Sequence, residues 1–192
     1  VANAGATLDI VRIGSSSSSK KLTKAGAGTL KLSGSSGNSN KGTFTVNVGT
    51  VLLAKTSGNA MNSPLTINSG LVQLQNSTGQ IPTKRVTVNY PGQLDLNNLN
   101  DGVGALTMGG GLITTGTATL TLGGSAPHIT VNPSAYSATI SGTLAMGSSS
   151  RTFMINNGTA TDDLLISAVL TGTGSTLTKI GTGTLTLSGN NS

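Results

Sequence analysis

The chain has no cysteine, no tryptophan and no glutamate, and only 8% of its 192 residues are charged. Without cysteine there is no disulfide framework and no thiolate metal site. Asp9, Asp95, Asp101, Asp162 and Asp163 are the whole acidic complement, and His128 is the only imidazole. Acid–base and metal chemistry gather several such groups in one place, so this is thin material for either. The aromatic residues are Phe44, Tyr90, Tyr136 and Phe153. They are too few for a stacking nucleic-acid surface or for the aromatic girdles of an outer-membrane barrel. No apolar run is long enough to cross a bilayer as a helix.

What is present is glycine, at 28 residues about twice the usual share, with serine, threonine and asparagine beside it. The net charge of +6 is spread from Arg12 to Lys179 and is dense only at Lys20-Lys21 and Lys84-Arg85. It reads as a solvated surface and not as a polyanion-binding stripe. The chain opens at Val1 without an apolar leader, so it reads as a mature or excised segment.

Apolar residues alternate with polar ones in short runs: Leu8-Ile10, Leu30-Leu32, Phe44-Val46-Val48, Leu65-Ile67, Val86-Val88, Leu120-Leu122 and Leu185-Leu187. Period two bounded by Gly, Asn, Ser or Pro predicts short strands with one buried face. These runs repeat. Thr45-Val46-Asn47, Thr66-Ile67-Asn68 and Thr87-Val88-Asn89 lie 21 residues apart (66 − 45, 87 − 66). Thr107-Met108, Thr130-Val131-Asn132 and Met154-Ile155-Asn156 continue the series, with Gly109 in an asparagine place. Val51-Leu53, Val72-Leu74 and Leu94-Leu96 form a second series in step with the first.

A unit this short cannot bury its own apolar face. Stacked copies can. The prediction is an all-β, right-handed parallel β-helix (β-solenoid) with turns of about 21 residues, strands about 4.8 Å apart, and some eight turns spanning about 40 Å. Residues 1–192 read as one solenoid domain, a segment of a longer repetitive protein. Thr45, Thr66, Thr87 and Thr130 are expected to form an outer ladder. Asn47, Asn68, Asn89 and Asn132 are expected to stack at a corner, where asparagine tolerates left-handed backbone. Gly49, Gly70 and Gly92 are expected to turn that corner at positive φ. Residues 15–19, 33–41, 54–63, 75–83 and 97–103 are expected to protrude as polar loops.

A longer duplication overlies the turns. Residues 22–34 (LTKAGAGTLKLSG) recur at 177–189 (LTKIGTGTLTLSG), offset by 155 (177 − 22). These segments resemble the autotransporter-associated β-strand repeat. Residues 42–53 (GTFTVNVGTVLL) and 64–74 (PLTINSGLVQL) are similar to the second half of the same repeat, and 94–111 to its connecting segment. The resemblance implies a secreted or surface-displayed bacterial passenger of parallel β-helix type, with roles in surface structure, display and adhesion. It carries no catalytic residues to transfer.

Other constellations are weaker. His128 reads as a surface histidine at a strand edge, and no G-x-S-x-G accompanies it. Asp162 and Asp163 are adjacent, so on a strand they would face opposite ways. Asp95 and Asp101 near Lys84-Arg85 are the nearest approach to a polysaccharide-cleaving cluster. The Gly26-Ala27-Gly28 and Gly181-Thr182-Gly183 pairs lack the third glycine and the helix of a phosphate loop. A threonine ladder also permits an ice-binding reading, though the motif is T-x-N and not T-x-T. No catalytic, cofactor-binding or metal-binding residue is assigned. The function expected is a structural stalk or filament, with head-to-tail self-association as the expected partner contact. An adhesin touching glycans or surfaces through its loops is the alternative.

Overall fold

The structure is a computed structural model that describes residues 5–14, 20–81 and 83–191. The described residues form strands, turns and loops, with no helix. The low-complexity serine run at 15–19 lies outside them.

Short β-branched runs cut by glycine and asparagine give strands of three to five residues, apart from two longer ones. One sheet stacks β1 (Thr7–Ile10), β3 (Thr29–Leu32), β5 (Thr50–Leu53), β7 (Leu71–Leu74), β9 (Gln93–Asp95), β12 (Leu112–Leu122), β14 (Ala138–Ala145), β16 (Leu164–Ile166) and β19 (Leu185–Leu187) in that order. The second sheet stacks β2 (Leu22–Lys24), β4 (Phe44–Val46), β6 (Leu65–Ile67), β8 (Val86–Asn89), β11 (Leu106–Gly109), β13 (Ile129–Val131), β15 (Arg151–Ile155) and β18 (Leu177–Ile180). Neighbours in both sheets are parallel. The chain alternates between the sheets, which makes it a parallel β-solenoid of about eight turns.

The register follows the repeat. Thr45 pairs with Thr66, Thr66 with Thr87, Thr87 with Thr107 and Thr107 with Thr130. Val51 pairs with Val72, and Val72 with Leu94. The column that starts at Leu22 runs through Phe44, Leu65, Val86, Leu106, Ile129 and Phe153 to Lys179. Seven steps over 157 residues (179 − 22) give a mean turn of about 22.

Alternate residues of the inner strands enter one continuous core of stacked columns, among them Val46, Ile67, Val88, Met108, Val131 and Ile155. A side chain here touches its own equivalents one turn below and one above, so the core has no centre and is filled turn by turn.

A third side closes the cross-section, and it differs between the two halves. In the upper half it is strand: β10 (Asp101–Val103), the second part of β12, the second part of β14, and β17 (Val169–Thr171) pair in parallel. In the lower half it is loop held by side chains. Asn38 Oδ1 accepts the Ile13 N–H at 2.8 Å, and its Nδ2 donates to the Ala60 carbonyl at 2.8 Å. Gln80 Oε1 accepts the Lys55 N–H, and Gln80 Nε2 donates to the Lys55 carbonyl, both at 3.1 Å. These amides bond as a missing strand would.

Two expectations are corrected here. The segments at 33–41, 54–63, 75–83 and 97–103 do not simply protrude: Asn38, Asn40, Ala54, Lys55, Ala60, Met61, Ser63, Gln80, Ile81, Asp101 and Val103 are buried, and 101–103 is strand β10. Gly49 and Gly70 do turn at φ of 82° and 86°, but Gly92 is not at positive φ. Glycine is required at 92 by close approach, since a Cβ there would stand 2.8 Å from the carbonyl oxygens of Asn89 and Ile67.

Val88 is fully buried at the middle of the column. Val88→Asp places an unpaired carboxylate there, at a cost of several kcal/mol. A thermal melt followed by circular dichroism is expected to show a large loss of stability. Thr87→Ser, one residue away on the outer face, is expected to stay within about 0.5 kcal/mol of the parent.

Candidate functional site

The asparagines are joined by their side chains. Asn68 Nδ2 donates to Asn47 Oδ1 at 2.9 Å, and Asn89 Nδ2 donates to Asn68 Oδ1 at 3.0 Å. Their backbone is not left-handed; that conformation belongs to Asn76, Asn97 and Asn98. The spine stops at Gly109, where a Cβ would lie 2.8 Å from Asn89 Oδ1. Asn132 resumes the position above that gap, its N–H donating to the Met108 carbonyl. Thr45, Thr66, Thr87 and Thr130 are half-buried on the outer face of the same sheet, in one file with Thr107.

Two cations that the sequence reading left on the surface are buried. Lys24 sits below the second turn and donates from Nζ to the carbonyls of Gly26 at 2.5 Å and Val48 at 2.9 Å. Lys55 is fully buried and donates to the carbonyls of Val11 and Ser33, each at 2.5 Å. Burial pushes both ammonium groups below the ordinary lysine range. Each bridges carbonyls of successive turns where no strand N–H reaches them, so each is a plug in a corner.

The aspartates do not converge. Asp95 lies on the outer face of the first sheet, accepting from Gln73 Nε2 at 2.8 Å and from the Thr114 hydroxyl at 3.0 Å. Asp101 is buried on the third side, where its carboxylate accepts the N–H groups of Gln80, Ile81 and Gly102. Burial raises the Asp101 carboxyl above the ordinary range, against the pull of those three donors. Asp163 is buried too and accepts from the Gly158 and Thr184 N–H groups, while Asp162 accepts from the Thr186 hydroxyl. Each carboxylate thus ties one turn to the next. Among the described residues no three His, Cys, Asp or Glu side chains gather.

His128 is not a surface residue. It is buried, and its Nδ1 accepts the Thr152 N–H at 3.1 Å. Desolvation, with the nearby Arg151 charge, holds its pKa below the usual 6.5.

The duplicated motif occupies opposite ends of the solenoid. β2 is one edge of the second sheet and β18 is the other, while β19 is the far edge of the first. Residues 22–34 are roofed by β4 and β5. At the far end Ile180 and Leu187 are each 41% exposed. Lys179, the counterpart of Lys24, is exposed and donates only within its own turn, to Gly181 at 2.9 Å. The ladder has also slipped between the copies. Followed upward, Leu22 leads to Lys179 and Leu30 to Leu187, two residues past their sequence equivalents Leu177 and Leu185. A slip of two is one strand period, so the inward side chains stay inward.

Two grooves open on the sides. One, of about 460 Å³, is lined by Arg85 with Thr107, Ser125 and Thr130. The other, of about 350 Å³, lies beside Tyr90 and Tyr136. Aromatic spacing in the sequence did not reveal the second: these tyrosines are 46 residues apart (136 − 90).

The family model of the passenger-associated transport repeat matches residues 22–53 and 177–192. Those are the lower two-turn unit, β2 to β5, and the end turn with β18 and β19, so the match falls toward both ends of the solenoid. No curated protein and no solved structure matches the chain.

Two measurements check the buried polar groups. Lys55→Met leaves the Val11 and Ser33 carbonyls unpaired and is expected to cost about 1–3 kcal/mol in a denaturant melt. His128 has its pKa lowered by folding, so the unfolded chain takes up the proton first as pH falls. Stability is expected to be full above 6.5 and to fall below it. In melts between pH 8 and 5, His128→Gln is expected to remove that part of the slope.

Proposed function

From the repeat match toward both ends, we propose that the chain is a passenger segment of an autotransporter-like bacterial protein. It stands outside the cell, secreted or at the surface, as a stalk or filament built by stacking of β-helix turns. It works as a rigid body and has no catalytic role. The observation that carries this reading is the likeness of the end turn to a turn that is roofed inside the same chain. At 22–34 the motif supports β4 and β5, and Lys24 is completed by the Val48 carbonyl of that roof. At 177–189 the same residue types lie open, with Lys179 still able to donate.

A turn of the kind formed by residues 42–53 is the natural complement. Each added strand would satisfy the open edge and cover the inward Leu187, as inner turns do, while Ile180 stands on the outer file with Met154. The other end also exposes apolar groups, Leu8 at 49% and Val11 at 65%. Stacking of copies end to end would bury both sets at once.

Electron microscopy and analytical ultracentrifugation at rising concentration test the proposal. The parent chain is expected to form rods or end-to-end oligomers. The double variant Ile180→Asp with Leu187→Asp is expected to stay monomeric with its circular dichroism spectrum intact. A parent that remains strictly monomeric overturns the self-stacking, and leaves Lys179 as an inward charge that guards the edge.

A further inference from the structure

The only two tyrosines of the chain meet on the surface. Tyr90 follows β8 and Tyr136 precedes β14, so they come from turns two levels apart. Two strand spacings amount to about 9.6 Å, yet the ring centroids are 3.6 Å apart and the planes differ by 7°. The turn between them makes this contact possible by having no side chain at its corner. Gly109, Gly110 and Gly111 occupy that corner. A Cβ on Gly110 would lie 2.6 Å from Ser134 Oγ and 2.7 Å from the Tyr136 carbonyl oxygen, and one on Gly111 would lie 2.5 Å from Val88 Cγ1. The loop that carries Tyr136 is pinned there by its own N–H, which donates to Ser134 Oγ at 3.0 Å.

The stack does not serve the core. The two phenylalanines are fully buried, whereas Tyr90 is 49% and Tyr136 51% exposed. Each ring has one face against the other ring, and neither phenol hydroxyl has a hydrogen-bond partner among the described residues. The groove beside them is within the size range of small-ligand sites. Its wall is aromatic, its floor is the backbone of Gly92, Gly110 and Gly111, and Ser137 and Thr139 add hydroxyls. None of its lining residues is charged.

We infer that this groove is a binding site for a neutral sugar. A pyranose presents an apolar C–H face and a rim of hydroxyls. A phenol ring offers a flat apolar face with a polar tip and loses little entropy on contact. The hydroxyls of the tyrosines, Ser137 and Thr139 can take up the rim. The absence of a cation selects against acidic sugars and against nucleotides, whose phosphates need one. The site is on the side of the solenoid, so it stands whether or not turns stack at the ends.

Tyrosine emission provides the test, because the chain has no tryptophan and no tyrosine outside this site. Maltotriose, cellotriose and mannotriose are titrated as neutral probes, with an oligogalacturonate as the acidic control. A saturable change in emission with at least one neutral probe, and none with the acidic one, is expected. Saturation-transfer NMR on Tyr136→Ala is expected to show binding about tenfold weaker, and Tyr136→Phe to retain most of it. The proposal is overturned if no neutral probe binds, if the acidic probe alone binds, or if Tyr90→Ala and Tyr136→Ala bind as the parent does. Sugar binding in the Ile180→Asp, Leu187→Asp variant is expected to match the parent, which separates failure here from failure of the stacking proposal.

Discussion

Parallel pairing of like with like is the constraint on which the molecule depends. When each strand bonds to its equivalent one turn away, a residue's neighbours are copies of its own position. An apolar position therefore builds an apolar column, and an asparagine can bond to an asparagine. Phe44, Leu65, Val86, Leu106, Ile129 and Phe153 show how loosely the side chain is specified once it is apolar. Large and small alternate freely, because each layer packs against the next and not against a unique partner. Polarity is specified tightly, since one inward polar group must find donors or acceptors within its own layer or the next.

The buried polar groups meet that demand. Lys24, Lys55, Asn38, Gln80, Asp101 and Asp163 each bond to the backbone of an adjoining turn. Lys24 and Asp101 stand at strand ends and the others in the loops, and all supply bonds to backbone groups that strand pairing leaves open. A corner held this way is directional: a carbonyl recruits a lysine, and an N–H recruits a carboxylate. The same logic explains the end turn. Lys179 is the counterpart of Lys24 in the repeated motif, although the slip sets it in the Leu22 column, and its ammonium reaches only its own turn. The chemistry that would complete it is a carbonyl from a further layer.

Much of the fold was legible because the repeat is a geometric fact. The spacings of T-V-N and of V-x-L gave the observed register, including the shorter step to Thr107 and the longer ones to Thr130 and Met154. Most strand positions and inward facings followed from alternation alone, but Val48, read with Phe44 and Val46, lies past the end of β4 and is exposed. The third side was not legible. Segments 54–63 and 75–83 are polar and irregular, and polar composition normally marks an exposed loop. Here Lys55 and Gln80 are buried because backbone groups on the neighbouring turns need partners. His128 was misplaced for a related reason: it is taken inside by a bond to the Thr152 backbone, 24 residues on.

The sequence by itself determined the repeat, the alternation and so the solenoid, because side chains of period two recurring at one circumference have few other ways to be buried together. Only the tertiary structure decided which polar residues lie inside, where the asparagine spine breaks, and that the ladder slips by two between the duplicated motifs. It alone brought Tyr90 to Tyr136 across a glycine corner. Those outcomes depend on loop lengths and on contacts between turns, and a periodic pattern fixes the pitch of a coil without fixing what its corners hold.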